Sequence, residues 1–245
     1  MLNRITVAAA SVIALSAVAK ADGNYPGPRG YNYCCQGTWS GFYVGAFLGG
    51  ADVDMKVHDV DNLNGGARFG INDGAFLGGG QVGYNWQTGN VVFGFETDVG
   101  GMSVNKRKFD PNFPGGTFSG IDGGVIGDVT GRLGFTFGSA LLYAKGGFAY
   151  FDGDAFVDNH LGALGGGRAF TDTFTGWTLG GGVEVKLSPA WSAKVEYLHF
   201  DFGTEDATLH TPFNGSFRYS NDLRADAVTV GLNYHFFARD YVSLK

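Results

Sequence analysis

The feature that most limits what this chain can fold into is a hydrophobic pattern of period two that recurs eight times, once in each of eight segments of roughly ten residues. Three segments are clean. Val91, Phe93, Phe95 and Val99 alternate with Gly94, Glu96 and Asp98. Trp177, Leu179, Val183, Val185 and Leu187 alternate with Thr178, Gly180, Gly182, Glu184 and Lys186. Val228, Val230, Leu232, Tyr234 and Phe236 alternate with Thr229, Gly231, Asn233 and His235. The same pattern recurs around Phe42 to Leu48, Val82 to Trp86, Val129 to Phe135, Leu142 to Tyr150 and Trp191 to Tyr197. Each segment therefore has an apolar face and a face of glycine and polar groups. In the seventh, Leu198 and Phe200 drift onto the polar face, which a β-bulge or a membrane boundary near His199 would produce.

The connections are as informative as the strands. Short links at 88–90, 138–140 and 188–190 alternate with polar stretches of about twenty residues at 52–73, 103–123, 152–173 and 203–224. No stretch after residue 21 approaches the roughly 18 apolar residues of a membrane helix. A strand protein in hydrocarbon must close on itself to satisfy its backbone. The pattern thus predicts an all-β chain: an eight-stranded antiparallel transmembrane up-and-down β-barrel over 39–236, with short periplasmic turns, four long outer loops and both termini periplasmic.

Composition separates this from a soluble barrel with an apolar interior. Charged residues make up only 16% of the chain, too few for an outer wall that meets water everywhere. Glycine, at 43 of 245 residues, leaves room for long side chains on a crowded inner face. Aromatic residues gather at the two ends of the strands. Phe42, Trp86, Phe135, Trp191, Tyr234 and Phe236 fall at the periplasmic ends, and Phe76, Phe148, Tyr150 and Trp177 at the outer ends, as two membrane interfaces would require.

Outside the barrel, Met1 to Arg4 give a basic start, Ile5 to Ala19 an apolar run too short to span, and Ala19-Lys20-Ala21 a cleavage signature. Residues 1–21 read as a signal peptide, 22–38 as an irregular periplasmic lead-in, and 237–245 as a C-terminal extension. Loss of Arg4 and Lys20 makes the exported chain more acidic than its formal charge of -6, so nucleic acid is not an expected partner. Cys34 and Cys35 are adjacent and cannot close a loop between them.

Alternation directs Glu96, Asp98, Asp128, Glu184 and Glu196 inward together with Arg132, Lys145, Lys186 and Lys194. Charges of both signs in a narrow barrel are expected to form an ion-pair network that largely closes it. No catalytic group, metal site or cofactor is expected. His199 and Asp201 stand two apart near an outer strand end, but no serine or threonine completes a triad there. The five histidines lack metal-ligand spacing. Leu164 to Arg168 is glycine-rich but follows a strand within a polar stretch, so it is not a phosphate loop.

The segments Trp39-Ser-Gly-Phe-Tyr-Val-Gly-Ala, Gly79-Gly-Gln-Val-Gly-Tyr-Asn-Trp, Leu141-Leu-Tyr-Ala-Lys-Gly-Gly-Phe-Ala-Tyr, Val195-Glu-Tyr-Leu with Asp201-Phe-Gly, and Gly231-Leu-Asn-Tyr-His-Phe together resemble the small porin-like outer-membrane proteins of alphaproteobacteria. These are major surface antigens with an OmpA-like barrel, and some relatives bind haem. The resemblance implies a structural and surface-display role, with a small-solute pore or loop-mediated haem uptake as the alternative. It makes His58, His160 and His210 the candidate haem ligands. It also implies outer-membrane lipid, lipopolysaccharide, the outer-membrane assembly machinery and a host-surface ligand of the loops as partners. The chain departs from the family pattern in running past Phe236 and in carrying the Cys34-Cys35 pair.

Overall fold

The structure, a computed structural model, describes residues 38–62, 65–112, 116–159, 167–211 and 215–236. Residues 1–21, read above as a signal peptide, residues 22–37 with Cys34 and Cys35, and residues 237–245 lie outside them. Eight strands follow one another: β1 (Gly41–Asp59), β2 (Arg68–Thr88), β3 (Val91–Phe109), β4 (Thr117–Phe137), β5 (Ala140–Asn159), β6 (Gly167–Lys186), β7 (Trp191–Thr211) and β8 (Gly215–His235). Each pairs antiparallel with the next, and β8 closes on β1 from Tyr43↔His235 to Asp59↔Tyr219. The up-and-down barrel read from the alternation is the fold.

Two of the short links are two-residue turns with the twist that hairpins favour. Gly89 and Gly138 take φ of +59° and +61° at the first turn position, where a Cβ would be strained. The third, between β6 and β7, is closed by Leu187 N–H donating to Trp191 O at 2.8 Å.

The four long polar stretches are themselves largely strand. Each strand runs 19 to 21 residues, whereas a tilted transmembrane strand needs only about 9 to 11. Roughly half of each strand therefore stands beyond the hydrocarbon, and there the two faces exchange character. In the membrane half, Phe42, Phe95, Val129, Leu133 and Leu179 point outward and are exposed, while Glu96, Arg132, Lys145 and Glu184 point inward and are buried. Above it, β1 turns Asp52, Asp54 and Lys56 outward and buries Val53, Met55 and Val57. The alternation continues unbroken while its polarity reverses, because the outer solvent has changed from lipid to water.

This reversal explains the drift in the seventh segment. β7 is regular through His199, and Leu198 and Phe200, 5% and 2% exposed, simply enter the apolar core of the outer half. The bulge comes later, between Asp201 and Thr204, where Gly203 takes φ +67°.

The outer half is also divided. Pairing between β2 and β3 runs only from Thr88↔Val91 to Phe76↔Ser103, and between β6 and β7 only from Lys186↔Ser192 to Trp177↔Asp201. Beyond those levels the strands form two four-stranded sheets, β7-β8-β1-β2 and β3-β4-β5-β6, facing each other over a shared core. Val53, Met55, Ile71, Phe202, Tyr219 and Leu223 from one sheet meet Val104, Ile121, Phe151, Val157 and Phe174 from the other. Lysines lace one seam: Lys106 Nζ lies 3.4 Å from Asp73 Oδ1, and Lys108 Nζ donates to Gly70 O at 2.8 Å. A lysine on a strand edge covers free backbone groups that would otherwise recruit another strand.

Candidate functional site in the barrel lumen

Strand alternation places the interior side chains, and the structure brings most of the predicted charges together in one buried group. Lys145 on β5 is the hub. Its Nζ donates to Glu96 Oε1 at 2.8 Å and to Asp98 Oδ2, and lies 3.2 Å from Glu196 Oε1 and 3.9 Å from Asp128 Oδ1. Lys194 on β7 reaches Glu96 Oε1 at 3.1 Å and Glu196 Oε2 at 3.3 Å. Arg132 on β4 donates to Glu184 Oε2 and stands 3.7 Å from Glu96 Oε2. Arg132, Lys145, Glu96 and Glu184 have fully buried side chains.

Lys186 lies at the short-turn end of the barrel. Its Nζ lies 4.9 Å from the centre of the Trp39 ring and donates to Pro189 O at 3.4 Å. Trp39 itself, 2% exposed, packs with Val92, Leu141 and Tyr143 and holds Gln87 Oε1 through its backbone N–H at 2.8 Å. The barrel entrance on that side is thus filled by an indole with a lysine laid on it.

Charge alone does not describe the network. Tyr43 Oη donates to Glu96 Oε2 at 2.7 Å, Tyr143 Oη to Glu196 Oε2 at 2.7 Å, and Arg132 stacks over the Tyr143 ring at 3.8 Å. Ser192 Oγ and Asn233 Nδ2 donate to Glu184 Oε1, and Gln81 donates to Asn233. His235 Nε2 lies 2.7 Å from Ser192 Oγ. The alternation already puts Asn233 and His235 on the polar face, whereas Tyr43, Tyr143 and Ser192 are not among the inward groups it names. The signal was available, since Tyr43 shares the parity of Gly45 and Tyr143 that of Lys145. The glycines are the steric complement of the rings: a Cβ at Gly83 would fall 2.3 Å from Tyr43 Oη.

Above the network the apolar core of the outer half begins directly. Phe47, Leu77, Ile126, Leu198 and Phe200 meet Asp98, Asp128 and Glu196 around a cavity of about 20 Å³. The interior is therefore layered along its axis: indole and lysine, then ion pairs, then hydrocarbon.

Of the aromatic girdles, Phe42, Phe76, Trp86, Phe135, Phe148, Trp177, Trp191, Tyr234 and Phe236 are exposed on the outer wall, and Tyr150 is partly so. Trp191 and Tyr234 meet edge to face, with ring centres 5.1 Å apart. His199 does lie on that wall, but its Nδ1 faces Asp226 Oδ1 at 2.8 Å, an oxygen that also accepts from Tyr197 Oη at 2.6 Å. Asp201 pairs instead with Arg224 at 3.3 Å.

His58 is half-buried on the outer side of β1, opposite Arg68 and Ser220. The side chains of His160 and His210 lie outside the described residues. Near the tip of the β1–β2 hairpin, Arg218 holds Asp61 by its backbone N–H at 2.8 Å and its guanidinium at 3.2 Å, and these hydrogen bonds lower the Asp61 carboxyl below its usual range.

A wall apolar outside through one membrane-wide band, polar within it and closed without edges there defines an integral membrane β-barrel. The chain matches the outer membrane protein beta-barrel domain over residues 5–236 and belongs to that family. It is 35% identical to a 31 kDa outer-membrane immunogenic protein of Brucella melitensis, covering 81% of this chain and 84% of that one. It is 30% identical to a 22 kDa outer membrane protein of Rhizobium leguminosarum, covering 81% and 79%. Among solved structures, the outer membrane protein OprG of Pseudomonas aeruginosa matches 82% of this chain and all of its own length with a TM-score of 0.54; at 15% identity this shows the fold alone.

Proposed function

We propose that this protein is a structural barrel of the outer membrane that carries four paired hairpins above the cell surface and does not conduct solutes. The observation that carries the reading is the layered interior. Lys145, Arg132 and Glu96 with fully buried side chains, followed by Phe151, Phe174 and Phe202 at 0 to 1% exposure, support an interior without a continuous aqueous path. About eight strands enclose a space that side chains can fill. Outer-membrane lipid and lipopolysaccharide are the partners of the wall, and the assembly machinery is the partner of the folding chain. A host-surface ligand would meet the hairpin tips. Both chain ends project to the periplasm, on the side of the short turns.

The orientation half of this reading has a direct test. Proteinase K added to intact cells is expected to cut only at the hairpin tips, first in 60–67, because the paired strands below them offer no extended segment to a protease. The turn at 88–90 should be cut only after the envelope is opened. Cleavage at 88–90 in intact cells, with 60–67 spared, would invert the barrel and remove the display role.

A further inference from the structure

Where β3, β4, β5 and β7 face one another, the interior holds more carboxylates than cations. Glu96, Asp98, Asp128 and Glu196 share two ammonium groups, Lys145 and Lys194. The next cation, Arg132, is engaged by Glu184 and only approaches Glu96. Glu96 and Glu196 are well supplied, since each meets both ammonium groups and a tyrosine hydroxyl. The shortage falls on the aspartates.

Asp98 and Asp128 are directly opposite each other across the β3–β4 pair, both on the inner face. Like charges so placed repel. Lys145 bonds to Asp98 through Oδ2, and Asp98 Oδ1 has no hydrogen-bond partner; Asp128 Oδ1 has none either, its nearest ammonium being 3.9 Å away. The two residues are 5% and 3% exposed, so bulk water does not relieve them. Both border the 20 Å³ cavity, together with Glu196, Thr229, Gly127 and the apolar side chains of Phe47, Leu77, Ile126, Leu198 and Phe200. That volume accommodates one water molecule.

We propose that Asp98 and Asp128 are a proton-binding pair: together they take up one proton from solvent at neutral pH and carry a single negative charge. One carboxyl donates its O–H to the free oxygen of the other, across the strand pair or through one water in the cavity. This satisfies both orphaned oxygens and brings the four-carboxyl group close to balance with Lys145, Lys194 and the share of Arg132 that reaches Glu96. A metal ion would serve the charge count equally, but the Lys145 ammonium already sits among these four carboxylates, where it repels a second cation. Two carboxyls that cannot both ionise in one site are a recognised arrangement, and their titration belongs to the pair.

Carbon-13 NMR of the full-length refolded protein, labelled at aspartate carboxyls, tests this. At pH 7 the wild type should show one protonated aspartate equivalent, which Asp128→Asn removes. Asparagine there keeps the size and a hydrogen-bond donor, so its urea midpoint at pH 7 should stay at the wild-type value, whereas Glu96→Gln should lower it clearly. Two fully ionised aspartates at these positions would overturn the proposal. So would an Asp128→Asn midpoint lowered as far as that of Glu96→Gln, or aspartate signals that move on adding calcium or sodium at constant pH. If Asp128→Asn fails to fold, assignment through Asp98→Asn leaves the wild-type spectrum decisive.

Discussion

Replacing Lys145 with alanine is expected to cost the folded barrel roughly 3 to 5 kcal/mol, the loss that follows when one partner of a buried ion pair is removed and its counter-charges stay behind. Lys145 is the extreme case, because one ammonium answers Glu96, Asp98, Glu196 and, at longer range, Asp128. Refolding would have to leave these carboxylates facing each other or protonate them. The measurement is the urea midpoint of the refolded protein in lipid vesicles, read by the gel mobility of folded and unfolded forms. Lys186→Ala is the contrast. Its ammonium lies at the short-turn end of the barrel beside Trp39 and Pro189, and a much smaller loss is expected. Equal effects of the two substitutions would mean that the network does not hold the barrel together.

Val129→Arg is expected to destabilise insertion by about 2 to 4 kcal/mol, the depth-dependent cost of an arginine on the lipid face near the midplane. Val129 is 54% exposed on the outer wall, in the middle of the apolar run from Phe135 to Val125 on β4. Asp54→Arg provides the internal control, since Asp54 also points outward but stands on the part of β1 beyond the apolar band. There an arginine meets water, and the change should fall within about 0.5 kcal/mol, as for an ordinary surface substitution. A comparable loss at both positions would contradict the reversal of polarity along the strands and return the outer halves to the membrane.

The membrane half of the fold was legible from sequence because lipid outside and ions inside impose one consistent alternation. Val91 to Val99 and Trp177 to Leu187 could be read directly onto their two faces. The outer half was not read as strand, for a physical reason. Once the wall emerges into water, Asp52, Asp54 and Lys56 belong outside and Val53, Met55 and Val57 inside, so the parity seems to break although the backbone does not. Read against a single polarity, such residues look like a polar loop, and Leu198 with Phe200 looks like an error in register. The nine interior charges followed from parity, but their partners did not. Which amine reaches which carboxylate depends on side-chain length across the lumen, and Lys186 is drawn to Trp39 at the mouth, a contact that alternation does not specify. The neutral donors Tyr43, Tyr143 and Ser192 carry no charge, so a pattern of ions does not mark them as members of the network.

Single-channel recording in planar bilayers tests the central claim most directly. The refolded, signal-free protein should give no stable openings of porin size if, as proposed, the ion-paired layer and the phenylalanine core close the interior in series. Lys145→Ala, if it inserts, should give brief small openings at most, since the apolar layer above is untouched. Large, long-lived wild-type channels that pass small sugars as well as ions would contradict the sealed interior and make solute diffusion the function.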